Sequence, residues 1–121
     1  METGDTPAAL GYRMPAEWEP HAATWLSWPH NAESWPGKME PVPAIWARFA
    51  AELAGAEDVH ILVRDMTMRR AAEAALAGAG AAIARVQFHE VATNDAWMRD
   101  HGPTFVVREA PQRQVAMIDW T

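Results

Sequence analysis

The densest chemistry in this chain of 121 residues lies between Asn94 and Asp100. An indole (Trp97), a guanidinium (Arg99) and two carboxylates (Asp95, Asp100) fall within that one stretch, and His101-Gly102-Pro103 then forces a turn before an apolar run. A carboxylate held in such a bend can accept a planar, bidentate pair of N–H groups from a guanidinium. Trp97, three positions before Asp100, offers a ring face, and a guanidinium over an indole gains about 0.5–2 kcal/mol. Trp97 plus Asp100 is thus a sensible cradle for an arginine-like cation. The same residues admit a plain structural reading. An Asp beside an Arg before a Gly-Pro turn is often an ion pair or a loop cap, with the Trp in the core. On spacing alone the structural reading is the commoner one. Arg99 in particular is expected to partner a protein group rather than a substrate.

The elements that must position this loop are legible on either side of it. Ala22–Trp28 is a strand candidate with apolar residues on both faces, stopped by Pro29. Pro29–Pro43 follows as a long Pro-rich irregular loop. A helix is expected from Pro43, where a missing N–H costs nothing, with Gly55 as its C-terminal cap. Val42, Ile45, Trp46, Phe49 and Leu53 recur at helical spacing and predict one apolar stripe. Val59–Val63 is nearly all apolar, as for a strand covered on both faces. Thr67–Ala77 is Ala-rich and helix-forming, ending in Gly-Ala-Gly. The segment 82–91 returns as a strand with Val86 and Phe88 alternating against Arg85 and Gln87. Strand, helix, strand with short links predicts parallel pairing and a right-handed crossover. The loop from Thr93 then leaves the carboxyl end of a strand, where α/β sheets tend to bind ligands. Pro103–Glu109 and Gln114–Trp120, separated by Ala110–Arg113, read as a hairpin.

Composition narrows the function classes. The length fits one modest domain, with residues 1–13 a flexible leader and 14–121 folded. Half of the residues are hydrophobic and the net charge is −6, with scattered Lys and Arg. Nucleic acid is therefore not an expected partner, since phosphate binding needs a basic face. A cationic small ligand fits the charge better. There are no cysteines, so no disulfide, Cys-zinc site or thiol nucleophile lies within these residues. His21, His30 and His60 show no ligand spacing, and His89-Glu90 lacks the second His of a zinc helix; no metal is expected. No secretory signal or membrane-length apolar run is visible, which makes the cytoplasm the expected location. Five of the seven Trp (Trp18, Trp25, Trp28, Trp35, Trp46) precede residue 47, predicting a heavily packed layer. Trp18 is expected as a buried anchor with Glu19 hydrogen-bonded beside it, and Trp25 and Trp28 as core. Met66 and Met68 read as packing residues. The chain stops soon after the last strand, a hint of truncation, and such a piece should expose apolar edges.

The stretch "MPAEWEPHAATWLSWP" (14–29), together with "NDAWMRDHGPTFVV" (94–107), closely resembles the N-terminal part of the agmatine deiminase and bacterial-type peptidylarginine deiminase family. The resemblance runs from Met14 to Thr121, and the W-x-R-D-x-G-P pattern is specific. It implies the N-terminal portion of a five-bladed α/β propeller of mixed small sheets and covering helices. It also implies hydrolysis of a guanidino group to a ureido group with release of ammonia, without metal or organic cofactor. In that family a Cys thiolate attacks the guanidinium carbon, a His serves as acid and base, and two acids hold the nitrogens.

Carried over by motif, Asp100 matches the first guanidinium-binding acid and Trp97 the aromatic that packs against substrate. Asn94 and Asp95 fall in the motif with no role to transfer. The second acid, the His and the Cys of the family pattern lie past Thr121, so turnover by these residues alone is not expected. His101 reads as mostly solvent-facing. Residues 31–43, "NAESWPGKMEPVP", look more like the peptidylarginine members, which leaves agmatine and peptidyl-arginine-like substrates both open, as it leaves homo-oligomerisation. The rival readings are a non-catalytic Trp-rich module for a sugar or cationic ligand, and an inactive gene product.

Overall fold

A computed structural model of the chain describes residues 6–119; Trp120, the expected end of the hairpin, lies outside the described residues. Two compact units are present, one formed by residues 21–98 and the other by residues 6–20 with 99–119.

The larger unit is a three-stranded parallel sheet under two helices. Strand β1 (Ala23–Ser27), helix α1 (Val42–Ala54), strand β2 (Asp58–Val63), helix α2 (Met66–Gly78) and strand β3 (Val86–Glu90) follow one another, with sheet order β1-β2-β3. Trp25 pairs with His60 and Ile61 with Phe88 in register, so the expected parallel pairing is present. The ladder reaches past the strands, with Trp28 N–H donating to the Leu62 carbonyl and Val91 N–H to that of Val63, both at 2.9 Å.

Alternation decides the two sheet faces. Val59, Ile61 and Val63 are buried on one side, with Leu26 and Trp28 of the first strand, against Ala47, Ala50, Ala54, Ala72 and Leu76 of the helices. The helical side of this core is mostly alanine. Small side chains let a helix lie close over the large Val and Ile side chains of the central strand, filling the interior without overpacking. This corrects the expected stripe on α1: Trp46 and Leu53 pack against the core, but Ile45 and Phe49 are exposed. The alanines at 47, 50 and 54 occupy the buried face, and position 45 with 49 falls on another.

Helix α2 begins and ends as local chemistry dictates. The Asp65 carboxylate accepts the Met68 N–H at 2.8 Å as its N-cap. At the other end Ala81 N–H donates to Leu76 and Gly80 N–H to Ala77, with Gly80 at φ 73°. This is a Schellman closure, which places a residue in the left-handed region that glycine reaches without strain. Met68 packs against the core, while Met66 is exposed. A short 3-10 turn, Ile83–Arg85, precedes β3, where a longer strand is expected; only Val86–Glu90 finds a ladder on β2.

A single helical turn, α3 (Met98–His101), begins at the last residue of the larger unit; in the smaller unit the chain continues into the hairpin of β4 (Thr104–Arg108) and β5 (Gln114–Ile118), paired antiparallel from Thr104↔Ile118 to Arg108↔Gln114. Arg13 forms an isolated bridge with Val107. Arg108 holds this unit together: its guanidinium lies 4.9 Å over the Tyr12 ring and donates to the Leu10 carbonyl and to Gln114.

Candidate functional site

The loop after β3 is shaped by Asp95. One of its carboxylate oxygens accepts the Ala96 N–H at 2.7 Å, a bond between adjacent residues that bends the chain before Trp97. The other accepts the hydroxyl of Ser34, which belongs to a 3-10 turn (Ala32–Ser34) inside the Pro-rich loop after β1. That turn is itself capped, with the Asn31 side chain accepting the Glu33 N–H at 3.0 Å. Ser27 Oγ meets Thr93 Oγ1 at 3.2 Å, a second tie between the segment at the end of β1 and the loop.

These ties assemble three indoles. Trp35 and Trp97 have ring centroids 5.4 Å apart at a tilt of 38°. Trp46, on α1, stands nearly perpendicular to both, 5.8 Å from Trp35 and 6.3 Å from Trp97. The angles suit aromatic quadrupoles, whose positive edges seek negative faces. Trp46 is pinned by its Nε1–H, which donates to the Ser27 carbonyl at 3.0 Å. Trp97 remains 46% exposed. It is therefore an aromatic surface backed by two other rings, rather than the core residue of the structural reading.

Asp100 sits in α3 and is exposed. Among the described residues its carboxylate makes no hydrogen bond or ion pair. The ion pair expected of Arg99 is formed, but with Glu17 at 2.7 Å, and both residues are exposed. The structural reading in which Arg99 neutralises Asp100 is thus not what the smaller unit adopts. His101 is exposed as expected, and so is Asn94.

Two Trp expectations are overturned. Trp18 is 90% exposed rather than a buried anchor, because no described element covers its ring. Its neighbour Glu19 is hydrogen-bonded as expected, accepting from Arg13 at 2.9 Å and from the Ala16 N–H at 2.7 Å. The Arg13 hydrogen bond, with the Ala16 N–H, holds its carboxyl below the usual carboxylate range. Trp25 is exposed rather than core. It points to the sheet face opposite the helices and stacks on His60 and His89, at 4.4 and 4.9 Å. Trp28 is buried, as expected. Among the described residues no group of three or more His, Cys, Asp or Glu converges as a metal site would require. Among the described residues no helix is long and apolar enough to cross a membrane.

Ser34, Trp35 and Trp46 are the contributors that sequence reasoning missed. The excess of Trp before residue 47 was a signal that aromatic packing mattered there, but no spacing rule connects position 34 or 35 with 95 or 97.

The parallel βαβ core defines a small α/β protein; its indole wall and, in the smaller unit, an exposed carboxylate are groups suited to a planar cation. Residues 13–121 match the Porphyromonas-type peptidyl-arginine deiminase family, and the chain belongs to that family. It is 33% identical over 127 residues to the agmatine deiminase of Medicago truncatula, covering 100% of this chain and 32% of that protein. It is 37% identical over 116 residues to the agmatine deiminase of Ectopseudomonas mendocina (strain ymp), covering 96% and 29%. The fold is similar to that of C. jejuni agmatine deiminase, with a TM-score of 0.72 at 21% identity over 91% of this chain and 31% of that one. The chain thus spans about a third of the length of the curated relatives it matches.

Proposed function

We propose that this chain carries part of the guanidinium-binding site of a hydrolase that converts a guanidino group to a ureido group and releases ammonia. Agmatine, giving N-carbamoylputrescine, is the substrate its relatives favour; a peptidyl-arginine-like guanidine is the alternative left by the loop at residues 31–43. On the family motif, Asp100 is the acid that holds the guanidinium nitrogens and Trp97 the aromatic that packs against the substrate. The observation that carries this reading is the Asp100 carboxylate, exposed and without a hydrogen-bonding or ionic partner among the described residues, within a motif of a deiminase family.

The reaction needs a strong nucleophile for a resonance-stabilised carbon, and a thiolate supplies it. With no Cys among these 121 residues, the thiolate must come from outside them, and so, on the family pattern, must the acid–base His. These residues alone are expected to bind and not to turn over. The larger architecture proposed is a five-bladed propeller, with this chain as its N-terminal portion, acting in the cytoplasm without metal or organic cofactor.

Calorimetric titration of the chain with agmatine tests the reading. A charge-assisted pair contributes about 1.5–3 kcal/mol, so Asp100→Asn should weaken agmatine binding by about ten- to a hundredfold. Putrescine, which lacks the guanidino group, should bind far more weakly than agmatine. Equal affinity in Asp100→Asn, or no preference for agmatine over putrescine, would refute the assignment.

A further inference from the structure

We propose that Asp95 is a positioning residue: through Ser34 it holds the Trp35 segment against Trp97 and so sets the angle of the wall presented to substrate. The inference deepens the reading of Trp97 given above and rests on it.

Asp95 sits in the motif two residues before Trp97 and carries the charge a second guanidinium acid would need. Its oxygens are otherwise engaged. One is turned back to the Ala96 N–H at 2.7 Å and the other receives the Ser34 hydroxyl. A hydroxyl donating to a carboxylate is a strong, directional bond. Here it joins residues 61 positions apart, one on each loop. Ala96, between Asp95 and Trp97, is buried, so the tie bears on a fixed point of backbone.

The consequence falls on the adjacent rings. Centroid separations of 5.4, 5.8 and 6.3 Å put the three indoles in contact. That leaves no gap among them for a ligand, in contrast to an aromatic cage built around a cation. A substrate can use only the outer face of Trp97. Trp46 cannot set the direction of that face by itself, since its own position is fixed by the Ser27 carbonyl and it meets Trp97 edge to face. Trp35 is the adjustable neighbour. It follows directly on the 3-10 turn that contains Ser34, and Gly37 with φ 67° turns the chain away two residues later. Changes anywhere in that short segment therefore re-aim the Trp97 face, which makes the loop at residues 31–37 specificity-determining.

The test uses the chain labelled with 5-fluorotryptophan and read by 19F NMR without ligand, the Trp97 signal being assigned from Trp97→Phe. Asp95→Asn and Ser34→Ala should each shift or broaden the Trp97 and Trp35 signals, and Ser34→Thr, which keeps the hydroxyl, should restore them. Trp28, buried in the core, reports the fold and should stay in place. If Asp95→Asn disturbs Trp28, Ser34→Ala becomes the deciding variant, because it leaves the motif untouched. An unmoved Trp97 signal in Ser34→Ala overturns the proposal. Agmatine is then added to the parent chain. Failure of agmatine to move the Trp97 signal counts against the substrate wall and leaves the positioning result standing. Several-fold weaker agmatine binding in Ser34→Ala, rescued in Ser34→Thr, supports both.

Discussion

The indole N–H of Trp46 donates to the main-chain carbonyl of Ser27 at 3.0 Å. Helix α1 is thereby fastened to the carboxyl end of β1, the end from which the Pro-rich loop departs. Trp46→Phe keeps an aromatic ring but leaves that carbonyl without its donor. The expected loss is about 1–3 kcal/mol of stability, measured by urea unfolding, together with increased acrylamide quenching of the remaining tryptophans. Unchanged unfolding in Trp46→Phe would show that the bond contributes nothing net.

Leu76 tests the core of the larger unit. It is fully buried beneath α2, against the central strand, so Leu76→Ala should cost about 2–5 kcal/mol through lost transfer energy and a residual cavity. Ile83 is similar in size but exposed, and Ile83→Ala should change stability by about 0.5 kcal/mol or less. Equal costs at the two positions would contradict the assigned core.

Asp65 gives a pH dependence with a definite sign. Its carboxyl is held below the usual carboxylate range, first by the Met68 N–H it caps and then by the Arg64 guanidinium. A lowered folded-state pKa stabilises the fold above the unfolded value, about 3.9 for Asp. That stabilisation is lost as pH falls through the folded value. The parent chain should therefore melt above Asp65→Ala at pH 7, and the gap should narrow below about pH 4. A gap constant between pH 7 and pH 3 would contradict this.

The hairpin presents an uncovered apolar face. Phe105 pairs with Met117 and Val107 with Val115 across the two strands, and Phe105, Val115 and Met117 are exposed. Paired strands with such a face invite association. Light scattering should show mass rising with concentration, and Val115→Lys with Met117→Lys should suppress the rise. A chain monomeric at every concentration tested would remove this expectation.

The sequence by itself determined the strands and the two long helices, to within a few residues, because their signals are local. Asp65 and Gly80 mark the ends of α2 through bonds to backbone within a few residues, and the apolar run at Val59–Val63 specifies a covered central strand. It also placed Trp97 and Asp100 in one motif. Tertiary structure decided which faces are used. The Ile45–Phe49 stripe has the right period, yet Ala47, Ala50 and Ala54 face the sheet, since close approach to large strand side chains favours the small residues. Trp18 and Trp25 differ from Trp28 in burial by what happens to lie over them, which no window of sequence contains. The same holds for Asp95: its partner Ser34 is far away along the chain. A hydrogen bond of that kind exists only once two loops have been carried to the same place by the sheet between them.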